Sequence, residues 1–64
     1  MYKTLLVYTH LGDTYKGLMT KETDNYIILE DCTVDDCEKV TRLKEAKIYK
    51  HDIANTRITS YQEG

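Results

Sequence analysis

Residues 6–17 of the chain read LVYTHLGDTYKG, and they combine strand-forming residues with two glycines five positions apart. The β-branched and aromatic residues of segment 2–9 favour a pleated strand. Gly12 and Asp13 then form a turn of the hairpin type. A second strand follows over residues 14–21, and Gly17 within it indicates a sharp bend or a close backbone approach.

The rest of the chain contains three more strand-like segments. After a turn at residues 23–25, an apolar strand covers residues 26–29 and continues in more polar form to Val34. Residues 44–50 and 53–61 are the fourth and fifth segments, separated by a tight corner at His51 and Asp52. Five short strands with bends and no long helix predict an all-β fold, either a strongly bent antiparallel sheet or a small barrel.

Residues 34–44 are compatible with two local structures. A helix-capping signature precedes apolar residues that recur at steps of three from Val34 to Leu43, as on one face of a short helix. A polar β-turn around residues 36–38, joining two bent strands, accounts for the same residues. The span is short and is interrupted by Thr and Val, which are weak helix formers, so we favour the hairpin.

Length and composition predict one small domain over residues 1–64. A chain this short is marginally stable alone, and oligomerisation is one of the standard remedies. The nine basic and eleven acidic residues give a net charge of -2, so any contact with phosphates needs a local group of Lys and Arg. Charge does segregate along the chain, with an acidic run over residues 30–38 and a basic run over residues 39–50. Two solvated strand faces and a turn would explain both runs as well.

Cysteine, histidine and the known catalytic patterns give little support for a metal site or an enzyme. Cys32 and Cys37, with His10 and His51, match no standard zinc spacing. Buried or half-buried free thiols are the expectation, and a disulfide between Cys32 and Cys37 is the alternative. No nucleophile–base pair or phosphate-binding glycine loop is visible, so we expect neither catalytic residues nor a cofactor. The chain shows no signal peptide and no apolar run of membrane-spanning length, which predicts a cytoplasmic protein.

The order of these strands and turns along the chain resembles that of the Sm/LSm family and its bacterial relative Hfq. The first motif of the family has two glycines at the spacing of Gly12 and Gly17, followed by an acidic turn and an apolar strand, here residues 24–29. The interval between Gly17 and Asp24 is one residue longer than usual. The second motif reads IYKHD at residues 48–52, in which YKH is similar to Hfq and Asp52 is similar to Sm proteins.

The resemblance implies that the strongly bent antiparallel sheet of five strands closes into a small SH3-like open barrel. It also implies a ring of five to seven subunits, in which the fourth strand of one subunit pairs with the fifth strand of the next. It also implies that the ring binds single-stranded RNA around its pore, as an RNA chaperone or in RNA processing. Whether U-rich or A-rich RNA is preferred stays open. The N-terminal helix of the family has no counterpart in this sequence, and such a reduced form would suit a phage protein.

The resemblance transfers RNA-binding roles to five residues. Tyr26 would stack on a base and Asn25 would contact a base edge. Lys50 and His51 would contact base edge and phosphate, and Asp52 would orient them. Four of them have a structural interpretation too: Tyr26 as a core or interface tyrosine, Lys50 as a solvated lysine, His51 as a corner residue and Asp52 as a turn residue. The alternative function is a ring or SH3-like barrel that is a protein-interaction module without RNA binding. The net acidity and the acidic run favour this alternative more than the charge of a typical Sm protein would.

Overall fold

The computed structural model describes residues 2–62, which form a single five-stranded antiparallel sheet. The prediction of five antiparallel strands is confirmed. The strand order is β4-β3-β2-β1-β5. The strands are β1 (Tyr2–Thr9), β2 (Thr14–Glu22), β3 (Tyr26–Asp35), β4 (Val40–Tyr49) and β5 (Ile53–Gln62).

The region around residues 34–44 is a hairpin, as favoured from the sequence, because β3 and β4 pair directly from Tyr26↔Tyr49 to Asp35↔Val40. The turn between them is held by its own carboxylates. Asp35 Oδ1 accepts a hydrogen bond from the N–H of Cys37, and Asp36 Oδ1 accepts from the next two N–H groups. The fourth strand therefore begins at Val40, four residues before the predicted start at Lys44.

A short 3-10 helix at Lys50–Asp52 joins β4 to β5, and it forces the sheet to curl. In a flat five-stranded sheet the edge strands would lie about 19 Å apart, at about 4.8 Å per strand spacing. A three-residue 3-10 helix rises only about 2 Å per residue. The end of β4 and the start of β5 must therefore come close together, which requires the strong bend predicted from the sequence.

Gly17 lies where the sheet bends. A Cβ atom on Gly17 would overlap the Cβ of Cys32 and lie 2.9 Å from its Cα. The pairing of β2 with β3 shifts register at this point, and Asp31 adopts a positive φ of 48°. The close backbone approach predicted at Gly17 is confirmed, and only glycine fits there.

The core lies on the concave side of the bent sheet. Its buried members come from β1, β3 and β4: Leu5, Val7, Ile27, Leu29, Cys32 and Ile48. Cys32 is completely buried with a free thiol, and burial raises the pKa of that thiol. Cys37 is also free and is exposed, so the two cysteines do not form a disulfide.

The predicted closure into a barrel is not found. Within the described residues, β4 pairs only with β3 and β5 pairs only with β1, so both remain edge strands. The reason is that the short corner brings the two edges together at one end only. No helix in the described part of the chain is long and apolar enough to cross a membrane.

Candidate nucleic-acid interface

The two segments that carry the predicted RNA-binding residues are in direct contact. The backbone N–H of Lys50 donates a hydrogen bond of 2.8 Å to the carbonyl oxygen of Asn25. Thr23 fixes the turn before β3, because its hydroxyl accepts hydrogen bonds from the N–H groups of Asn25 and Tyr26. The turn before β3 and the 3-10 helix after β4 therefore form one surface.

Three aromatic rings lie side by side on this surface. Tyr26 and Tyr49 are directly opposite each other in the β3–β4 ladder, and their ring centroids are 6.2 Å apart at an interplanar angle of 72°. The His51 ring stacks on Tyr49 at 5.8 Å with an angle of 20°. Tyr26 is half-buried, whereas Tyr49 and His51 are exposed. Part of the Tyr49 and His51 side chains therefore faces solvent.

Two lysines flank the rings. Lys47 Nζ lies 4.2 Å from the centroid of Tyr26 and 5.2 Å from that of Tyr49, and Lys21 Nζ lies 5.8 Å from Tyr26. These distances are in the range of cation–π interactions. Ile28 pairs with both lysines across the sheet, which places them on the same face. We call this set the aromatic–basic surface: Lys21, Tyr26, Lys47, Tyr49 and His51.

Lys50 lies beside this surface but is already paired. Its Nζ donates a 3.0 Å hydrogen bond to Glu22 Oε2, and both side chains are partly exposed. The hydrogen bond and the charge of Lys50, with a smaller effect of Lys3, lower the pKa of the Glu22 carboxyl. A phosphate that approached Lys50 would therefore compete with Glu22.

Asp52 and Asn25 mainly hold the local backbone. The carbonyl oxygen of Asp52 accepts a 2.9 Å hydrogen bond from the N–H of His10, which ties the corner to the β1–β2 turn. The Asp52 carboxylate lies 3.4 Å from His51 Nε2, a position from which it can orient the ring. The side chain of Asn25 is exposed next to Tyr26.

The structure thus brings all five predicted residues to one region, with Tyr26 and His51 at its centre. Sequence reasoning did not include Lys21, Lys47 and Tyr49 among the site residues. For Lys47 and Tyr49 a signal was present, since alternate residues of one strand share a face. Lys21 could not be found in this way, because a register shift between Met19 and Lys21 sets its position.

Within residues 2–62, no group of three or more His, Cys, Asp or Glu side chains is arranged to hold a metal ion. No protein-family model matches the chain, and no curated protein matches it at a significant level. The interpretation of the surface therefore depends on its own geometry and chemistry.

Proposed function

We propose that the protein binds single-stranded RNA on the aromatic–basic surface. The observation that supports this most directly is the row of Tyr26, Tyr49 and His51 rings with Lys47 over the two tyrosines. Stacking of an unpaired base on an aromatic ring contributes about 1–3 kcal/mol and needs no particular sequence. Lysines beside the rings can neutralise the phosphates that connect stacked bases.

The charge balance favours a small local site over a general coat for nucleic acid. The net charge of the chain is -2. Within the described residues, neither Lys21 nor Lys47 lies within ion-pairing distance of a carboxylate. Both cations are therefore available to phosphate. A single strand suits the surface better than a duplex, because bases must be unstacked to lie on side-chain rings.

We further propose that the subunits assemble through their edge strands, as in the Sm-like ring of the resemblance. Both edges of the sheet are unpaired and carry exposed apolar side chains: Val40 on β4, and Ile58 and Tyr61 on β5. The chain has no proline, so every residue of either edge can donate to a ladder. Pairing of β4 with β5 of the next subunit would provide hydrogen-bond partners for the unpaired backbone groups of both edges. Such head-to-tail contacts close into a ring when the rotation between neighbouring subunits adds up to a full turn.

Assembly would also strengthen RNA binding. Lys47 and Tyr49 belong to edge strand β4. One aromatic–basic surface would therefore lie at each junction between subunits. A strand of RNA that reaches several surfaces binds more tightly than one site allows, because the second contact is intramolecular.

The RNA proposal is tested by fluorescence anisotropy with short labelled U-rich and A-rich RNAs and a duplex of the same length. We expect binding of a single strand that weakens as salt increases. Lys47→Ala should lower the affinity about fivefold or more and reduce the salt dependence, as expected for the loss of a phosphate contact. Lys44→Ala removes an equally exposed lysine of β4 and is the matched control.

Light scattering after gel filtration tests the assembly, with the absorbance ratio recorded across the peak. A mass of five to seven subunits would support the ring. A monomer that binds no RNA would contradict both proposals. It would favour the alternative function, in which an exposed edge strand pairs with an extended segment of a partner protein.

A further inference from the structure

A cavity of about 350 Å³ opens on the inner face of the sheet. No residue of the aromatic–basic surface lines it, although Lys50 lies next to both. Its floor is formed by Leu5 and Ile27, which are both buried core residues. Met19, Ile53 and Ile58 line its walls and are only partly covered. The sheet is curled but not closed into a barrel, so part of its inner face is left open.

The mouth of the cavity is charged. Lys3, Glu22 and Lys50 lie around it. Glu22 and Lys50 form the ion pair described above, and the charge of Lys3 also acts on the Glu22 carboxyl. Within the described residues, Lys3 has no carboxylate at ion-pairing distance. Among the described residues, the mouth therefore carries two positive charges and one negative charge, and Lys3 is the cation without a carboxylate partner there.

An apolar chamber with a cationic mouth is complementary to a small molecule with an aliphatic body and an anionic head. Ligand cavities in proteins commonly have volumes of about 300–1,000 Å³, apolar walls and a few polar groups that fix orientation. Apart from Thr56, the uncharged side chains that line the cavity are apolar, and they suit a hydrocarbon chain. Lys3 can donate a charge-assisted hydrogen bond to a carboxylate.

We infer that this cavity binds a medium-chain carboxylate, with the alkyl chain against Leu5, Ile27 and Ile58 and the carboxylate at Lys3. The head group lies near Lys50 as well, where it competes with Glu22. This site does not depend on RNA binding, because its walls are separate from the aromatic–basic surface.

The test is a titration of the full chain, without RNA, with sodium octanoate below its micelle concentration. Binding is followed by NMR of the methyl groups of Met19, Ile53 and Ile58. We expect saturable shifts of these methyl signals. Octanol, which lacks the charge, should bind about tenfold more weakly, consistent with the loss of one charge-assisted hydrogen bond. Acetate, which lacks the alkyl chain, should cause no shifts.

Lys3→Gln should weaken octanoate binding about tenfold. Lys16→Gln removes an exposed lysine that does not line this cavity, and it should have no effect. Methyl signals that stay unchanged with octanoate would overturn the inference. Equal binding of octanol and octanoate, or equal binding by the Lys3→Gln variant, would overturn the role of the cationic mouth. RNA binding is measured separately, so a failure here leaves the RNA proposal intact.

Discussion

The two ends of the β3–β4 hairpin are both rich in charged residues, but these residues bind backbone groups at one end and contact aromatic rings at the other. At the turn, the carboxylates of Asp35 and Asp36 accept hydrogen bonds from nearby backbone N–H groups. At the other end, Lys47 and Lys21 face aromatic rings. The fold accounts for the acidic residues of the turn, whereas it gives the lysines no ion-pair partner among the described residues. Positive charge that no described carboxylate neutralises is the better indicator of an anionic ligand.

The largest effect should come from a substitution that destabilises the whole sheet and so disrupts both ends of the β3–β4 hairpin. Gly17→Val would place a side chain against Cys32 at the bend of the sheet. We expect a loss of about 3 kcal/mol of stability, as for severe overpacking, measured by urea unfolding. Gly12→Ala is the control, because Gly12 has a φ of 95° but open space around it, and it should cost only about 1–2 kcal/mol. Equal stability of the Gly17→Val variant and the wild type would show that the bend does not depend on this contact.

Tyr26→Ala should affect the aromatic end alone. Loss of one stacking platform predicts about tenfold weaker binding of single-stranded RNA, which corresponds to the lower part of the 1–3 kcal/mol range. Anisotropy titrations measure it, and Tyr8→Ala is the matched control because Tyr8 is an exposed tyrosine on β1. If both variants lost the same affinity, the aromatic–basic surface would not be the binding site.

Asp36→Ala should affect the turn alone. Hydrogen bonds from the N–H groups of Lys39 and Glu38 lower the pKa of the Asp36 carboxyl. The Asp36 carboxylate therefore stabilises the folded chain fully above the pKa that it has in the unfolded state. This stabilisation is lost as the pH falls through its lower, folded-state pKa. We expect a lower melting temperature at neutral pH and a smaller difference from the wild type in acid, measured by circular dichroism. RNA affinity should not change, and a clear loss would mean that the turn belongs to the interface.

The smallest effect should come from Glu22→Gln. This change releases Lys50 from its carboxylate partner, and surface ion pairs of this kind are worth little. RNA affinity should increase about two- to threefold. Glu45→Gln removes the same charge from an exposed position on β4, so it controls for net charge. An equal gain in both variants would mean that only the net charge matters.

Much of the fold could be predicted from the sequence, because strand composition and turn residues act locally. The β3–β4 hairpin and the bend at Gly17 followed from such signals. The start of β4 was placed too late, since an edge strand with polar residues on both faces resembles a loop. The expectation of a buried or half-buried free thiol is confirmed for Cys32 and is wrong for Cys37, which is exposed. Strict alternation along β3 would nevertheless not bury Cys32. Asp31, at a φ of 48°, breaks the alternation that buries Ile27 and Leu29.

The candidate site was predictable in part. Tyr26 and His51 were identified by their motif neighbours, and the fold places them next to Tyr49. Lys21 was missed because one extra residue, Thr20, lies in the β2 ladder and moves Lys21 opposite Ile28. The pairing of Lys50 with Glu22 joins residues far apart in sequence. Contacts of this kind depend on register and curvature, which a single sequence does not reveal.

The most direct test of the central claim is amide NMR of the isotope-labelled chain during titration with a short single-stranded RNA. The proposed site predicts the largest shifts at Tyr26, Lys47, Tyr49 and His51, with residues 36–39 of the acidic turn unchanged. Shifts that centre elsewhere, or a spectrum that RNA leaves unchanged, would contradict the account.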